Sequence, residues 1–220
     1  MIIYGNSLSP FVRKALAFAA EKGVAVEVVP SGLGRGGPDF EEASPFRKMP
    51  ALRDPGADGG RDFTVADSSA ICVYIEARHP EPALIPAEPC DRARTIWYEE
   101  FADTVLVPVG ARMFFNRLVA PKILRRDGDE AVAAKAQADE LPPLLDYLEG
   151  VVPEDGHLVG GRLTLADLAV ASPFANLRHI GWMIDPHRWP RTLAYVTGIL
   201  ARPSFATLIT AEQRFVAGLG

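Results

Sequence analysis

Short apolar runs alternate with helical patterns along the first third of the chain. Ile2–Tyr4 is apolar and β-prone and stops at Gly5, which predicts a buried strand followed by a turn. From Pro10 onward apolar residues recur at helical spacing as far as Gly23, and the run Val24–Val29 predicts a second strand. The chain therefore opens as β-α-β, a unit that normally makes a right-handed crossover between parallel strands.

The same alternation continues through a loop, a hairpin and another helix. Residues 31–45 are rich in Gly, Ser and Pro and predict a loop with a helical turn near Phe40–Ala43. Pro50–Arg53 and Phe63–Val65 predict two short strands, joined by a glycine-rich connector that suits a hairpin. A helix is expected at about Asp67–Arg78. The predicted order is β-α-β-α-β-β-α, which is the thioredoxin-like order.

A proline-rich stretch divides the chain. Residues 79–89 contain four prolines, a composition that cannot continue a helix and predicts an extended linker. Beyond it the pattern is helical almost to the end. Helices are predicted at about 91–118, at about 130–148, from 164 onward, at about 191–200 and at about 204–214. The sequence thus predicts an α/β domain at 1–79, a linker at 80–89 and an all-α domain at 90–220.

Charge and hydropathy exclude two classes of partner. The net charge is -5, from 23 basic and 28 acidic residues spread along the chain, so there is no basic stripe for a phosphate backbone and nucleic acid is not expected. No apolar run reaches the roughly 20 residues that span a bilayer, and the first residues lack a signal-peptide pattern. We therefore expect a cytoplasmic protein with no membrane partner.

The cysteines and histidines show no pattern of a redox or metal site. Cys72 and Cys90, the only two cysteines, are too far apart for a Cys-x-x-Cys pair and too few for a disulfide framework. The four histidines lack the spacing of zinc ligands, so no metal is expected. Any thiol chemistry would use a thiol that comes from outside the chain.

Three segments combine polar residues with predicted loops and helix starts: Asn6–Lys14, Ser44–Leu52 and Val65–Glu76. In this order and spacing they resemble the glutathione site of the cytosolic glutathione S-transferases, of the bacterial type with serine at the active site. A fourth segment, Gly160–Ala169, resembles the helix-capping motif of that family's helical domain. The resemblance covers nearly the whole chain. It implies the glutathione transferase fold, with a thioredoxin-like α/β domain followed by an all-α domain.

The resemblance implies that glutathione is the co-substrate and that Ser9 activates its thiol. Ser9 before Pro10 is by itself a common helix N-cap. A helix N-terminus also favours a thiolate, and a hydroxyl that donates to the sulfur lowers the thiol pKa further. Relatives place this serine either one or two positions before the proline. Leu8 occupies the second position here, so Ser9 is favoured, and Ser7 stays open as an alternative.

The other glutathione contacts follow from the same resemblance: Phe11, Lys48, Met49, Pro50, Asp67 and Ser68. Met49-Pro50 matches the position of a cis proline in this fold, which would turn the Met49 backbone outward to pair with the cysteinyl part of glutathione. Lys48 would reach the glycyl carboxylate. Asp67 and Ser68 cap a helix and would also hold the γ-glutamyl end.

The second substrate is expected to be a small hydrophobic electrophile that binds against the first long helix after the linker. The candidates in the sequence are Trp97, Phe101, Val105, Arg112, Met113 and Phe115, although apolar residues at such spacing are also typical of a plain core. Thr164 and Asp167 form a capping box that is expected to support a core helix without catalysing. By resemblance the chain is expected to be a homodimer.

Several functions are consistent with such a site. The first is a glutathione transferase whose thiolate attacks a small apolar electrophile; a glutathione-dependent peroxidase or isomerase would use the same site. A non-catalytic glutathione-binding or regulatory protein would keep the fold, with or without the glutathione site, but would have no useful turnover. The joint presence of Ser9, Lys48 and Asp67–Ser68 favours an enzyme. A thiol-disulfide oxidoreductase is disfavoured because no cysteine occupies the active position.

Overall fold

The computed structural model describes residues 1–32, 34 and 36–219, and its contacts divide the chain into two units, Met1–Ala87 and Glu88–Gly220. The first unit contains one mixed sheet of four strands. These are β1 (Ile2–Tyr4), β2 (Glu27–Val29), β3 (Ala51–Asp58) and β4 (Arg61–Ala66), in the spatial order β2-β1-β3-β4. β1 is parallel to β2, whereas β3 is antiparallel to both of its neighbours. The predicted α/β class is thereby confirmed.

Three helices complete the first unit: α1 (Pro10–Glu21), α2 (Pro38–Ala43) and α3 (Ser68–Arg78). They occur in the predicted order, and α1 connects the two parallel strands. Ile3, Val12, Phe18 and Ile71 are fully buried, so the apolar positions of β1, α1 and α3 form the core of this unit. Burial of such side chains contributes about 1.5–3 kcal/mol each, which fixes the helices on the sheet.

Three strands differ in length from the prediction. β2 covers only Glu27–Val29 because β1 offers just three residues with which it can pair. β3 and β4 are longer than predicted, since most of the glycine-rich connector continues the antiparallel ladder with an irregularity between Asp54 and Asp58. The turn itself needs only Gly59 and Gly60, which have φ of +58° and +90°.

The second unit is helical, as predicted. Its helices are α4 (Pro89–Phe101), α5 (Val107–Phe114), α6 (Glu130–Lys135), α7 (Leu141–Val151), α8 (Leu165–His179), α9 (Pro190–Leu200) and α10 (Pro203–Ala217). The two longest predicted helices are interrupted by π-helical stretches at Ala102–Leu106, Phe115–Ile123 and Ala136–Glu140. Each stretch contains a proline or shortly precedes one. Proline has no N–H and crowds the carbonyl four residues earlier, which accounts for the wider turns.

The predicted capping box at the start of α8 is confirmed. The Asp167 carboxylate is fully buried and accepts hydrogen bonds from the N–H groups of Thr164 and Leu158, both at 2.8 Å. It also accepts a hydrogen bond from the hydroxyl of Tyr195 at 3.2 Å. Hydrogen bonds to the Asp167 carboxylate therefore hold together the start of α8, the loop before it and α9. α8 is buried from Leu165 to Leu177, so these hydrogen bonds support the core helix of the unit.

The described residues contain neither a single membrane-spanning helix nor a cluster of metal ligands. No single helix in that part of the chain is both long and apolar enough to cross a membrane; α9 and α10 meet the requirement only as a pair bent by 87°. Nor do the histidines, cysteines and acidic residues described by the structure form any group of three that could hold a metal ion.

Gly198 offers a simple test of the helical packing. It lies inside α9, where an added Cβ would meet no atom within 4 Å. Since alanine is favoured over glycine in a helix by about 1 kcal/mol, Gly198→Ala should raise the free energy of unfolding by about 0.5–1 kcal/mol in urea titrations. Gly32→Ala should do the opposite, because Gly32 has φ of +100° and its Cβ would lie 2.5 Å from Met49 Sδ. A loss of stability in Gly198→Ala would contradict the open packing.

Candidate active site

The predicted glutathione-binding segments meet at one edge of the sheet. Tyr4 of β1 pairs with Val29 of β2 and with Ala51 of β3, and Ala51 pairs with Ala66 of β4. The four strand ends therefore lie in one row. The segments that adjoin them lie side by side at the same edge: Gly5–Ser9, Pro30–Gly32, Lys48–Pro50 and Asp67–Ser68.

Two glycines allow these segments to approach each other. A Cβ on Gly5 would lie 2.6 Å from Val12 Cγ2 and 3.5 Å from Met49 Cβ. A Cβ on Gly32 would lie 2.5 Å from Met49 Sδ. A side chain at position 5 would thus collide with Val12 of α1, and one at position 32 would displace the Met49 side chain, so glycine at both positions lets the loops and α1 pack closely here. Both glycines were predicted only as turn or loop residues; their place directly after two strands, or close to one, was the available signal.

Ser9 is the N-cap of α1 and is half-buried. Its Oγ accepts a hydrogen bond from the Val12 N–H at 3.5 Å, a long distance for such a bond. In this bond the oxygen accepts, so the hydroxyl proton stays available to another acceptor near the helix N-terminus. Ser7 lies in the preceding turn, where Asn6 Oδ1 accepts from the Leu8 N–H at 2.9 Å. The structure places Ser9, and not Ser7, directly at the start of the helix.

Met49 and Pro50 lie between the Ser9 turn and α3. Their peptide bond is cis, as the resemblance implied. The Pro50 carbonyl accepts a hydrogen bond from the Asp67 N–H at 3.2 Å, which ties the loop before β3 to the start of α3. Within the described residues, neither the N–H nor the C=O of Met49 has a hydrogen-bond partner. The side chain of the preceding Lys48 is exposed to solvent.

Asp67 caps α3, and its carboxylate accepts hydrogen bonds from two N–H groups in the first turn of the helix. Its Oδ1 accepts from Ser69 N–H at 2.8 Å and from Ala70 N–H at 3.1 Å, and its φ is +91°, an uncommon conformation for a residue with a side chain. Ser68 follows and is only 2% exposed, yet among the described residues its N–H and its hydroxyl have no hydrogen-bond partner. The first turn of α3 therefore offers a ligand the polar groups of Ser68, because those of Ser69 and Ala70 are already satisfied.

A tyrosine on α3 fixes this helix on the hairpin. Tyr74 stacks on Phe63 with ring centroids 4.4 Å apart, and its hydroxyl donates to Asp54 Oδ2 at 2.7 Å. Burial, together with this hydrogen bond to a carboxylate, raises the pKa of Tyr74 to about 12. The tyrosine thus stays neutral at physiological pH and can keep donating, which holds the start of α3 at the sheet edge.

The second-substrate candidates have different surroundings within the helical unit. Phe101 is 6% exposed and packs 5.6 Å from Trp97 and 5.3 Å from Tyr147, measured between ring centroids. Val105 is exposed, and the exposed Arg112 donates to the carboxylate of Glu140. The remaining candidates are Met113, which is fully buried, and Phe115, whose ring lies 5.3 Å from the Arg126 guanidinium. Met113 thus lies in the core of this unit, whereas Phe101 belongs to an aromatic cluster with Trp97 and Tyr147.

Comparisons with known proteins agree with this geometry. Residues 3–83 match the family model for the glutathione S-transferase N-terminal domain, and residues 116–211 match the C-terminal domain model. The chain is 31% identical to glutathione S-transferase 3 of Zea mays, over 95% of this chain and 93% of that protein. It is 30% identical to the GST-like protein YibF of Escherichia coli, over 94% and 96%.

A solved structure extends the likeness to the backbone. The theta class glutathione S-transferase of Xanthomonas axonopodis pv. citri, solved with glutathione bound, superposes with a TM-score of 0.79 at 26% identity. The match covers 94% of this chain and 96% of that one.

Proposed function

Because this chain belongs to the glutathione S-transferase family, we propose that it binds glutathione at the sheet edge described above and activates the thiol for transfer. The observation that carries the proposal is Ser68. Among the described residues neither the N–H nor the hydroxyl of Ser68 has a partner, and the hydroxyl is not one of the side-chain atoms sealed from solvent, so both groups can serve a ligand. A carboxylate at the first turn of a helix can accept both hydrogen bonds and also gains from the helix dipole.

Each of the three parts of glutathione has a counterpart among the residues at this edge. The γ-glutamyl carboxylate binds the N–H and hydroxyl of Ser68, and the ammonium group faces the Asp67 carboxylate. The N–H and C=O of Met49 pair with the cysteinyl part as an added strand would. Lys48 reaches the glycyl carboxylate, and Phe11 and Pro50 border the peptide.

The chemistry then takes place at the start of α1. The sulfur lies near the Ser9 hydroxyl, which donates a hydrogen bond to the thiolate, while the helix N-terminus favours its negative charge. The thiolate attacks a small hydrophobic electrophile without a covalent enzyme intermediate, so the rate gain comes from thiolate activation and proximity. The electrophile side is assigned to Phe101, Val105 and Arg112 of the helical unit, with Val105 as the exposed apolar member.

We also propose a cytoplasmic homodimer that has neither nucleic acid nor a membrane as a partner. The apolar side chains exposed on the first unit support dimer formation, since Phe46 is 87% and Val73 45% exposed. Light scattering at several protein concentrations would test the oligomeric state. A monomer at all concentrations would contradict it.

The test of the proposed function is the absorbance of bound glutathione thiolate against pH. In the wild type, the pKa of the bound thiol should lie well below that of free glutathione. Ser9→Ala should raise the pKa by about one unit or more, because the thiolate loses a hydrogen-bond donor. Ser7→Ala is the matched control and should leave the pKa unchanged.

Each other outcome points to a different conclusion. If glutathione binds but the pKa of its thiol equals that of free glutathione, the non-catalytic binding protein is favoured. If only Ser7→Ala changes this pKa, Ser7 is the residue that activates the thiol. A wild type that binds no glutathione would refute the site. A peroxidase or isomerase would show the same thiol titration, so turnover of a hydroperoxide, an isomerisable double bond and an aryl halide must be compared.

A further inference from the structure

One buried hydroxyl closes the loop that presents Lys48 and Met49. Ser44 is 1% exposed, and its Oγ accepts from the Lys48 N–H at 3.0 Å and donates to the Lys48 C=O at 2.7 Å. The Ser44 N–H donates to the Phe40 carbonyl at 2.8 Å, and the Ser44 carbonyl accepts from the Arg47 N–H at 2.8 Å. This residue therefore ends α2 and also fixes both backbone groups of Lys48.

The direction of the next peptide group follows from that contact. The C=O of Lys48 and the N–H of Met49 belong to one planar peptide unit, and in a trans unit they point in opposite directions. Since the Lys48 carbonyl is turned toward Ser44, the Met49 N–H is turned away from it. This is the N–H that has no partner among the described residues.

We infer that Ser44 is a positioning residue of the glutathione site, an inference that rests on the proposed function. Ser44 does not contact glutathione. Its hydroxyl holds the peptide between Lys48 and Met49 in the orientation that the cysteinyl part of glutathione needs. Without the hydroxyl this peptide is free to rotate, and binding must then also order the loop, which weakens affinity.

The experiment compares Ser44→Ala with the wild type by calorimetric titration with glutathione and by steady-state kinetics. We expect Ser44→Ala to bind glutathione about tenfold more weakly, the effect of losing roughly one net hydrogen bond. KM for glutathione should rise while kcat and the pKa of the bound thiol stay unchanged, because Ser9 is not disturbed. Ser44→Thr keeps the hydroxyl on an extended backbone and should restore the affinity to within about threefold.

A second readout does not depend on glutathione. Hydrogen exchange of the Lys48 amide should be faster in Ser44→Ala than in the wild type, because the amide loses its acceptor. Thr192→Val is the matched control in the other unit: it removes a buried hydroxyl that donates to Glu149 Oε2 at 2.8 Å. This control should lower the melting temperature without changing the affinity for glutathione.

The outcomes separate the two proposals. If the wild type binds glutathione and Ser44→Ala binds it equally well, or only melts earlier as Thr192→Val does, Ser44 is a purely structural residue and the inference is overturned. Unchanged exchange at Lys48 would overturn it as well. A wild type that fails to bind glutathione would refute the proposed function, and this inference with it, before any variant is compared.

Discussion

Replacing Asp167 with alanine should lower the free energy of unfolding of the helical unit by about 4 kcal/mol. The substitution leaves four buried donors without this acceptor, namely the N–H groups of Leu158 and Thr164 and the hydroxyls of Thr164 and Tyr195. Each unsatisfied donor costs about 1–3 kcal/mol. Part of that loss is offset because burial raises the pKa of Asp167, so the ionised carboxylate is itself poorly solvated where it lies.

Tryptophan fluorescence in urea is the measurement for Asp167→Ala. All three tryptophans, Trp97, Trp182 and Trp189, lie in the helical unit, so the signal reports its unfolding. Asp139→Ala is the matched control, since the exposed Asp139 makes only a helix-surface ion pair with Lys135 at 3.2 Å. That variant should change stability by less than about 0.5 kcal/mol. If both variants behaved alike, the capping box would not be the support of α8.

Replacing Ser68 with alanine should weaken glutathione binding by roughly thirtyfold, or about 2 kcal/mol. A hydrogen bond to a charged carboxylate contributes about 1.5–3 kcal/mol, and Ser68 provides its hydroxyl for one such bond. Stability should rise slightly or stay unchanged, because among the residues that the structure describes the hydroxyl has no partner to lose. Affinity and stability would thus move independently, which is the signature of a ligand-binding residue.

Calorimetric titration with glutathione and with its γ-glutamyl-cysteine fragment tests this prediction. Both ligands carry the γ-glutamyl carboxylate, so Ser68→Ala should reduce the affinity of both by a similar factor. Ser69→Ala, one position further along α3, is the matched control: it removes a hydroxyl that the proposed site does not use, keeps the N–H that donates to Asp67, and should bind within about twofold of the wild type. Unchanged binding in Ser68→Ala would place the γ-glutamyl end elsewhere.

The order of elements could be predicted because local signals agreed with the fold. Ser9 before Pro10 marked the start of α1, and Thr164 with Asp167 marked the start of α8. The proline-rich stretch at 79–89 coincides with the point where contacts divide the chain, between Ala87 and Glu88. These signals involve residues close in sequence, which is why they can be interpreted without tertiary contacts.

The π-helical stretches could not be predicted from periodicity. Apolar spacing at 91–118 fits a continuous α-helix, and a wider turn preserves nearly the same buried face. The prolines at 108 and 121 indicate that the helix cannot be regular there. Whether a proline ends, kinks or widens a helix depends on the packing of the neighbouring helices. The extent of β3 and β4 was underestimated for a similar reason, because how far a strand continues depends on the residues of the strand with which it pairs.

Candidate site residues could be named from motifs, but the hydrogen-bond partners of their side chains could not be predicted. Asp67 was predicted to cap α3 and to hold the γ-glutamyl end, and its carboxylate occupies the N–H groups of Ser69 and Ala70, which leaves Ser68 as the open residue of this turn among the described residues. Arg112 was named as a second-substrate candidate from the sequence, and only the structure shows that it donates to the carboxylate of Glu140. Hydrogen-bond partners compete for each polar group, and that competition is decided only when all partners are in place.

The sequence by itself determined the two-part architecture, the helix starts and the candidate glutathione residues, because each depends on neighbours within a few positions. The tertiary structure decided which of these residues meet. The register of Tyr4, Ala51 and Ala66 aligns the segments at one sheet edge, and glycine at position 32 leaves room for the Met49 side chain. The contact between Ser44 and Lys48 then sets the orientation of a single peptide group. Such properties follow from long-range packing, which no local pattern encodes.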